Sequence, residues 1–149
     1  MELEKEIASN KFDNNLHKAV VNVIYTYGWL NNLLRQHFDK HSITMQQFNI
    51  LRILRGQHPR PATINLLKER MLDKMSDASR IVERLVQKGL VSRCTNVKDR
   101  RAVDIKISNK GLELLKILDD EIVPSDFLKN TLTEEEAGLL SNLLDKMRG

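Results

Sequence analysis

From Phe12 to Phe38 apolar side chains return every three or four positions: Phe12, Leu16, Ala19, Val20, Val23, Ile24, Tyr27, Leu30, Leu34 and Phe38. That period lines them along one face of a helix. About twenty-seven residues at ~1.5 Å each make a rod roughly 40 Å long. A chain of 149 residues builds the core of one ordinary domain, and such a rod outruns it. The helix is therefore expected to project towards a second copy of the chain; a plain core helix is the alternative.

The rest of the composition suits a soluble, mainly helical protein. Hydrophobic residues make up 41% and charged residues 30%, with only three prolines and six glycines, values of a folded rather than a disordered chain. Cys94 is the only cysteine, so no internal disulfide can form and a reducing compartment fits. The opening "MELEKEIASN" is charged. No stretch approaches the ~20 apolar residues needed to cross a bilayer. No membrane partner is expected, and the cytoplasm is the expected location.

Further elements follow from local signals. Thr44 and Gln47 form a capping box in "SITMQQFNILRIL", with Ile43 as its staple residue. Phe48, Leu51 and Leu54 point inward, and the helix ends near Gly56. Thr63 caps a helix that continues to Met71. Asp73 is the expected N-cap of the next, running to Lys88, whose charge complements the helix dipole before Gly89 closes it. Strands are predicted at 91–95 and 102–107. Ser108 caps a Leu-rich helix that Pro124 bends or ends, and Thr133 with Glu136 opens a last helix.

Charge is unevenly spread along these elements. Between Lys74 and Lys106 nine Lys/Arg stand against four Asp/Glu, whereas the remaining residues carry fifteen against sixteen. An anionic partner would require such a concentration; a solvated charged face is the bland alternative. Within it, helix, turn, polar-faced helix, glycine and basic hairpin follow in the order of a winged helix-turn-helix. The second helix of that motif lies in the major groove of double-stranded DNA. Opposite its apolar residues stand Ser76, Asp77, Ser79, Arg80, Glu83, Arg84 and Gln87. Ser76, Ser79 and Arg80 are placed for base edges and Arg84 for a phosphate; Asp77 lies on the same face. Lys98, Arg100 and Arg101 at the hairpin tip suit a minor groove. Asp99 is expected to hold a neighbouring arginine, Arg101 or Arg84.

The stretch from Leu66 to Leu115 resembles the DNA-binding core of the MarR family of bacterial transcriptional regulators. The likeness is carried by Ser79-Arg80-Ile81-Val82-Glu83-Arg84-Leu85, by Lys88-Gly89-Leu90-Val91, by Arg93, and by Asp99-Arg100-Arg101 followed by a strand and Ser108-x-x-Gly111. It implies a mostly α fold with a small β-hairpin, a single domain over 1–149. Its DNA-binding lobe would span about 44–108 and its dimerisation helices about 10–39 and 109–148. It further implies a homodimer on a pseudo-palindromic operator, a repressor in many members, released by a small aromatic or lipophilic effector bound between lobes. Tyr25, Trp29 and Phe48, with Tyr27, are the candidate effector contacts. This chain departs from the family pattern at Asn96 and Lys98, where Asp and Arg are usual, and in the turn "MLDK", which lacks a glycine.

Other chemistries find little support. His17, His37, His41 and His58 offer no paired ligand spacing, and neither metal nor cofactor is expected. Cys94 reads as a small buried apolar residue rather than a redox sensor. No phosphate loop, nucleophile elbow or carboxylate pair is present, so catalysis is not expected. The competing class is a winged-helix adaptor that binds another protein without specific DNA binding, favoured if Ile64 and Leu66 prove exposed.

Overall fold

A computed structural model describes all residues, 1–149. The chain falls into two compact units, 1–115 and 116–149. Unit one begins with a single turn, α1 (Leu3–Glu6), and the long helix α2 (Asn15–Lys40). The Asn14 side chain caps α2 by accepting the His17 N–H at 2.9 Å. The α1 turn had no sequence signal. It lies against α2, where the Tyr25 hydroxyl donates to Glu6 Oε2 at 2.9 Å and Lys18 pairs with Glu4. The lysine holds the Glu4 carboxyl below its ordinary range, and the bond to Glu6 raises the Tyr25 phenol.

The helix-turn-helix consists of α3 (Met45–Gln57), α4 (Ile64–Arg70) and α5 (Ala78–Gln87). The expected capping box is present: the Gln47 N–H donates to Thr44 Oγ1 at 3.1 Å and the Thr44 N–H to Gln47 Oε1 at 3.2 Å. Thr63 caps α4 in the same way. Ile50, Leu51, Leu54, Leu67, Val82 and Leu85 form the buried centre. Phe48, expected inward, is only half-buried. Lys88 does not serve the end of its own helix. Its ammonium reaches the start of α3, donating to Gln47 Oε1 at 2.9 Å and to the Ser42 carbonyl, while Lys110 bonds the Lys88 carbonyl at 3.0 Å.

Gly89 adopts φ +71°, the left-handed conformation that closes a helix at little cost only for glycine. Strands β1 (Val91–Thr95) and β2 (Val103–Ile107) then pair antiparallel, with Val91 opposite Ile107 and Thr95 opposite Val103. Ala62 adds a rung that sequence reading missed: its N–H donates to the Ile105 carbonyl at 2.8 Å, and the Ile105 N–H returns the bond at 2.9 Å. Ile105 and Ile107 are thereby buried, whereas Val103 near the tip is not.

Ser108 opens α6 (Asn109–Glu121), accepting the Gly111 N–H at 3.1 Å and donating to the Gly89 carbonyl at 2.7 Å. Helix and hairpin approach so closely at Gly111 that a Cβ there would strike the Leu90 carbonyl oxygen and lie 2.7 Å from Ile107 Cγ1. A Gly111→Ala protein is therefore expected to lose about 1–3 kcal/mol of stability, the usual cost of overpacking. The check is a lower urea midpoint with an unchanged m-value.

Unit two holds the end of α6, a 3-10 turn (Pro124–Phe127) and α7 (Glu134–Arg148). Thr133 and Glu136 form the expected box at the start of α7. Its apolar side chains Leu139, Leu140, Leu143 and Met147 are exposed, as are Leu16, Val20, Ile24 and Tyr27 along α2. No helix is long and apolar enough to cross a membrane.

Candidate nucleic-acid interface

The turn before α5 is built around Asp73. Asp73 was expected to cap the helix itself; the helix instead starts five residues later, with Asp77 as its N-cap, accepting the Arg80 N–H at 3.2 Å. The Asp73 carboxylate accepts the Ser76 hydroxyl at 2.6 Å and the Met75 N–H at 3.0 Å. The Ser76 hydroxyl is the largest cause of a lowered Asp73 pKa, followed by the Met75 backbone. A carboxyl depressed in the folded state holds this turn while it is ionised and releases it as pH falls through its folded pKa. The turn is anchored at its other end by the Leu72 N–H, which donates to Asn49 Oδ1 at 2.9 Å.

Ser76 and Asp77 thus precede α5, while Ser79, Arg80 and Arg84 lie on it and face solvent. Ala78, Val82 and Leu85 hold the opposite face in the core. Ser76, Asp77, Arg80 and Arg84 come together around one shallow depression of about 340 Å³, shared with Thr44, Gln46 and Gln47. Ser79 does not line it.

At the hairpin tip Asn96 organises the backbone. Its Oδ1 accepts the N–H groups of Lys98 at 2.8 Å and Asp99 at 2.9 Å, and its Nδ2 donates to Asp104 Oδ1 at 2.9 Å. This explains the departure from aspartate at position 96. Unlike a carboxylate, an amide can accept from the tip and donate to a carboxylate at once. Asp99 Oδ1 accepts the backbone N–H of Arg101 at 3.0 Å, a bond to one of the two arginines expected beside it. Lys98, Arg100 and Arg101 are left exposed with no carboxylate partner. Cys94 is exposed on β1, not buried.

The candidate effector residues are not brought together. Tyr25 is engaged with Glu6, Trp29 is half-buried on α2, and the Phe48 ring packs on Phe38 at 4.9 Å with the Arg52 guanidinium 5.8 Å from it. The larger cavity, about 770 Å³, is lined instead by Tyr27, Asn31, Arg35 and Phe38 of α2, by Asn49 of α3, and by Leu72, Asp73 and Lys74 of the turn. A usable signal existed. Tyr27, Asn31 and Arg35 share the helical phase of Phe38, which is buried, whereas Tyr25 and Trp29 lie on another face. Ile64 and Leu66 are half-buried, so they supply no open apolar patch for an adaptor. No cluster of three or more His, Cys, Asp or Glu side chains could hold a metal.

Comparison with known proteins agrees with this architecture. Residues 43–103 match the MarR family. The transcriptional regulator MhqR of Bacillus subtilis is 26% identical over 122 residues, covering 81% of this chain and 83% of that protein. A MarR transcription factor from Planctomyces limnophilus superposes with a TM-score of 0.66 at 27% identity, over 93% of this chain and 98% of that one. A cysteine-to-serine variant of MarR from E. coli, solved with operator DNA, gives a TM-score of 0.71 at 26% identity over 99% of both chains. A helix-turn-helix with a basic hairpin, a matching family domain and relatives of the same fold lead to one conclusion: residues 43–103 form a MarR-family domain, and the chain shares the fold of MarR transcription regulators.

Proposed function

We propose that the protein is a sequence-specific regulator that binds double-stranded DNA as a homodimer on a pseudo-palindromic operator, and that it represses by occupying that site. One observation carries the reading: three unpaired cations stand on a rigidly bonded hairpin tip, in the same lobe as a helix that exposes Ser79, Arg80 and Arg84. The helix would enter the major groove and the tip the minor groove of each half-site. Operator DNA is the ligand of the E. coli relative. The uncovered apolar rows on α2 and α7 support a second copy as partner.

Release by a small aromatic or lipophilic effector belongs to the same reading. Its support is the 770 Å³ cavity, whose wall includes Leu72 and the Asp73 that holds the turn. An occupant would press on the element that positions Ser76 and α5.

The test is binding to DNA upstream of the protein's own gene, across a salt series and against random competitor. A preference of about a thousandfold or more with a steep salt slope is expected. Equal, weak binding to both would overturn the reading.

A further inference from the structure

Of the side chains in the turn before α5, three are already occupied within the protein. Leu72 forms a wall of the cavity, Asp73 clamps Met75 and Ser76, and the Lys74 ammonium turns back to the carbonyls of Glu69 and Lys68 at the end of α4. Met75 is left over. Its side chain is 94% exposed while its backbone N–H is fixed by Asp73 at 3.0 Å. An apolar side chain held in place by its backbone and touching nothing has no folding role to explain it. It immediately precedes Ser76 and the first turn of α5, and the start of a recognition helix is where such a helix meets base edges.

A thioether offers nothing to a phosphate. In the major groove the apolar group on a base edge is the C5-methyl of thymine. Ser76, next in sequence, donates its hydroxyl proton to Asp73 and so presents lone pairs outward. It can accept a hydrogen bond but has no proton left to give. One base pair offers both complements in the major groove, because A·T carries the adenine N6 amino donor and the thymine methyl. We infer that Met75 and Ser76 together read an A·T pair in each half-site, Met75 covering the thymine methyl and Ser76 accepting from the adenine amino group. This rests on the DNA-binding reading and adds to it a residue and a base.

The probe is a duplex enriched from a random library by the unmodified protein, in which each thymine in turn is replaced by uracil, so that only a methyl is lost. At one thymine per half-site uracil should weaken binding by about fourfold, and by about fifteenfold when both half-sites are changed, as expected for burying one methyl group. Met75→Ala should lose the same factor on the thymine duplex and become indifferent to uracil there; Met75→Leu should keep the discrimination. Replacing the paired adenine by purine, which lacks the amino group, should weaken the unmodified protein but not Ser76→Ala. Full discrimination by Met75→Ala, or indifference of the unmodified protein to uracil at every thymine, overturns the inference while leaving the DNA reading intact. If no duplex is enriched at all, the DNA reading falls and the inference with it.

Discussion

Removing the three wing cations together, as Lys98→Ala, Arg100→Ala and Arg101→Ala, is expected to weaken binding to every duplex alike. The tip is bonded through Asn96 and the Asp99 carboxylate to backbone groups, so truncating the exposed side chains leaves the hairpin formed. What is lost is charge. Each neutralised phosphate contributes roughly 0.9 to the slope of log K against log salt, so six cations in a two-fold dimer should lower that slope by up to about 5. Arg80→Ala should behave differently. An arginine forked onto a guanine discriminates by about 1–3 kcal/mol at its own base position, so the selected duplex should suffer and random DNA should not. Fluorescence anisotropy titrations on both duplexes over a salt series separate the two. A uniform loss from Arg80→Ala, with a sequence-selective loss from the wing variant, would reverse the assignment of roles.

The features that could be read from the chain are those decided within a few residues. The boxes at Thr44/Gln47 and Thr133/Glu136, the cap at Thr63 and the left-handed Gly89 each need only their neighbours. The start of α5 could not be decided that way. Asp73 and Asp77 are each a residue type that caps helices, three positions before a backbone N–H that could donate to the cap, and the sequence alone offers both. A helix begun at Asp73 would carry Lys74 and Met75 into the phase of the buried Ala78, Val82 and Leu85. On that face an ammonium would be buried without a partner, which is costly. The winning cap is set by tertiary packing.

The same limit explains the effector residues and Cys94. Tyr25 and Trp29 attract attention as aromatics, but the cavity follows the phase of Phe38; the phase can be read from spacing, while the packing of α2 on α3 decides which phase faces inward. Cys94 sits on a strand of which only Val91 is buried, because the Ala62 rung pins β2 at Ile105 and leaves the outer half of β1 uncovered. That rung joins residues more than forty positions apart, and no local pattern announces it.

The largest effect should come from residues distant from α5 in sequence. Ile24 on α2 is 66% exposed and Leu139 on α7 is 60% exposed, so an aspartate at either position meets water, and neither helix loses a core contact. In the proposed dimer both would be desolvated beside apolar neighbours, where an unpaired charge is not tolerated. Ile24→Asp with Leu139→Asp is therefore expected to give a folded monomer, with helical circular dichroism retained and sedimentation at the mass of one chain. Its DNA affinity should fall by about 10²–10⁴-fold, because the second half-site is no longer delivered at the effective concentration that the first contact provides. The residual binding should be that of one wing and one α5, with roughly half the salt slope of the unmodified protein. Helicity retained and dimer lost places the interface on these rows. A dimer that persists with undiminished DNA binding would move the interface elsewhere and leave the exposed leucines of α7 without their partner.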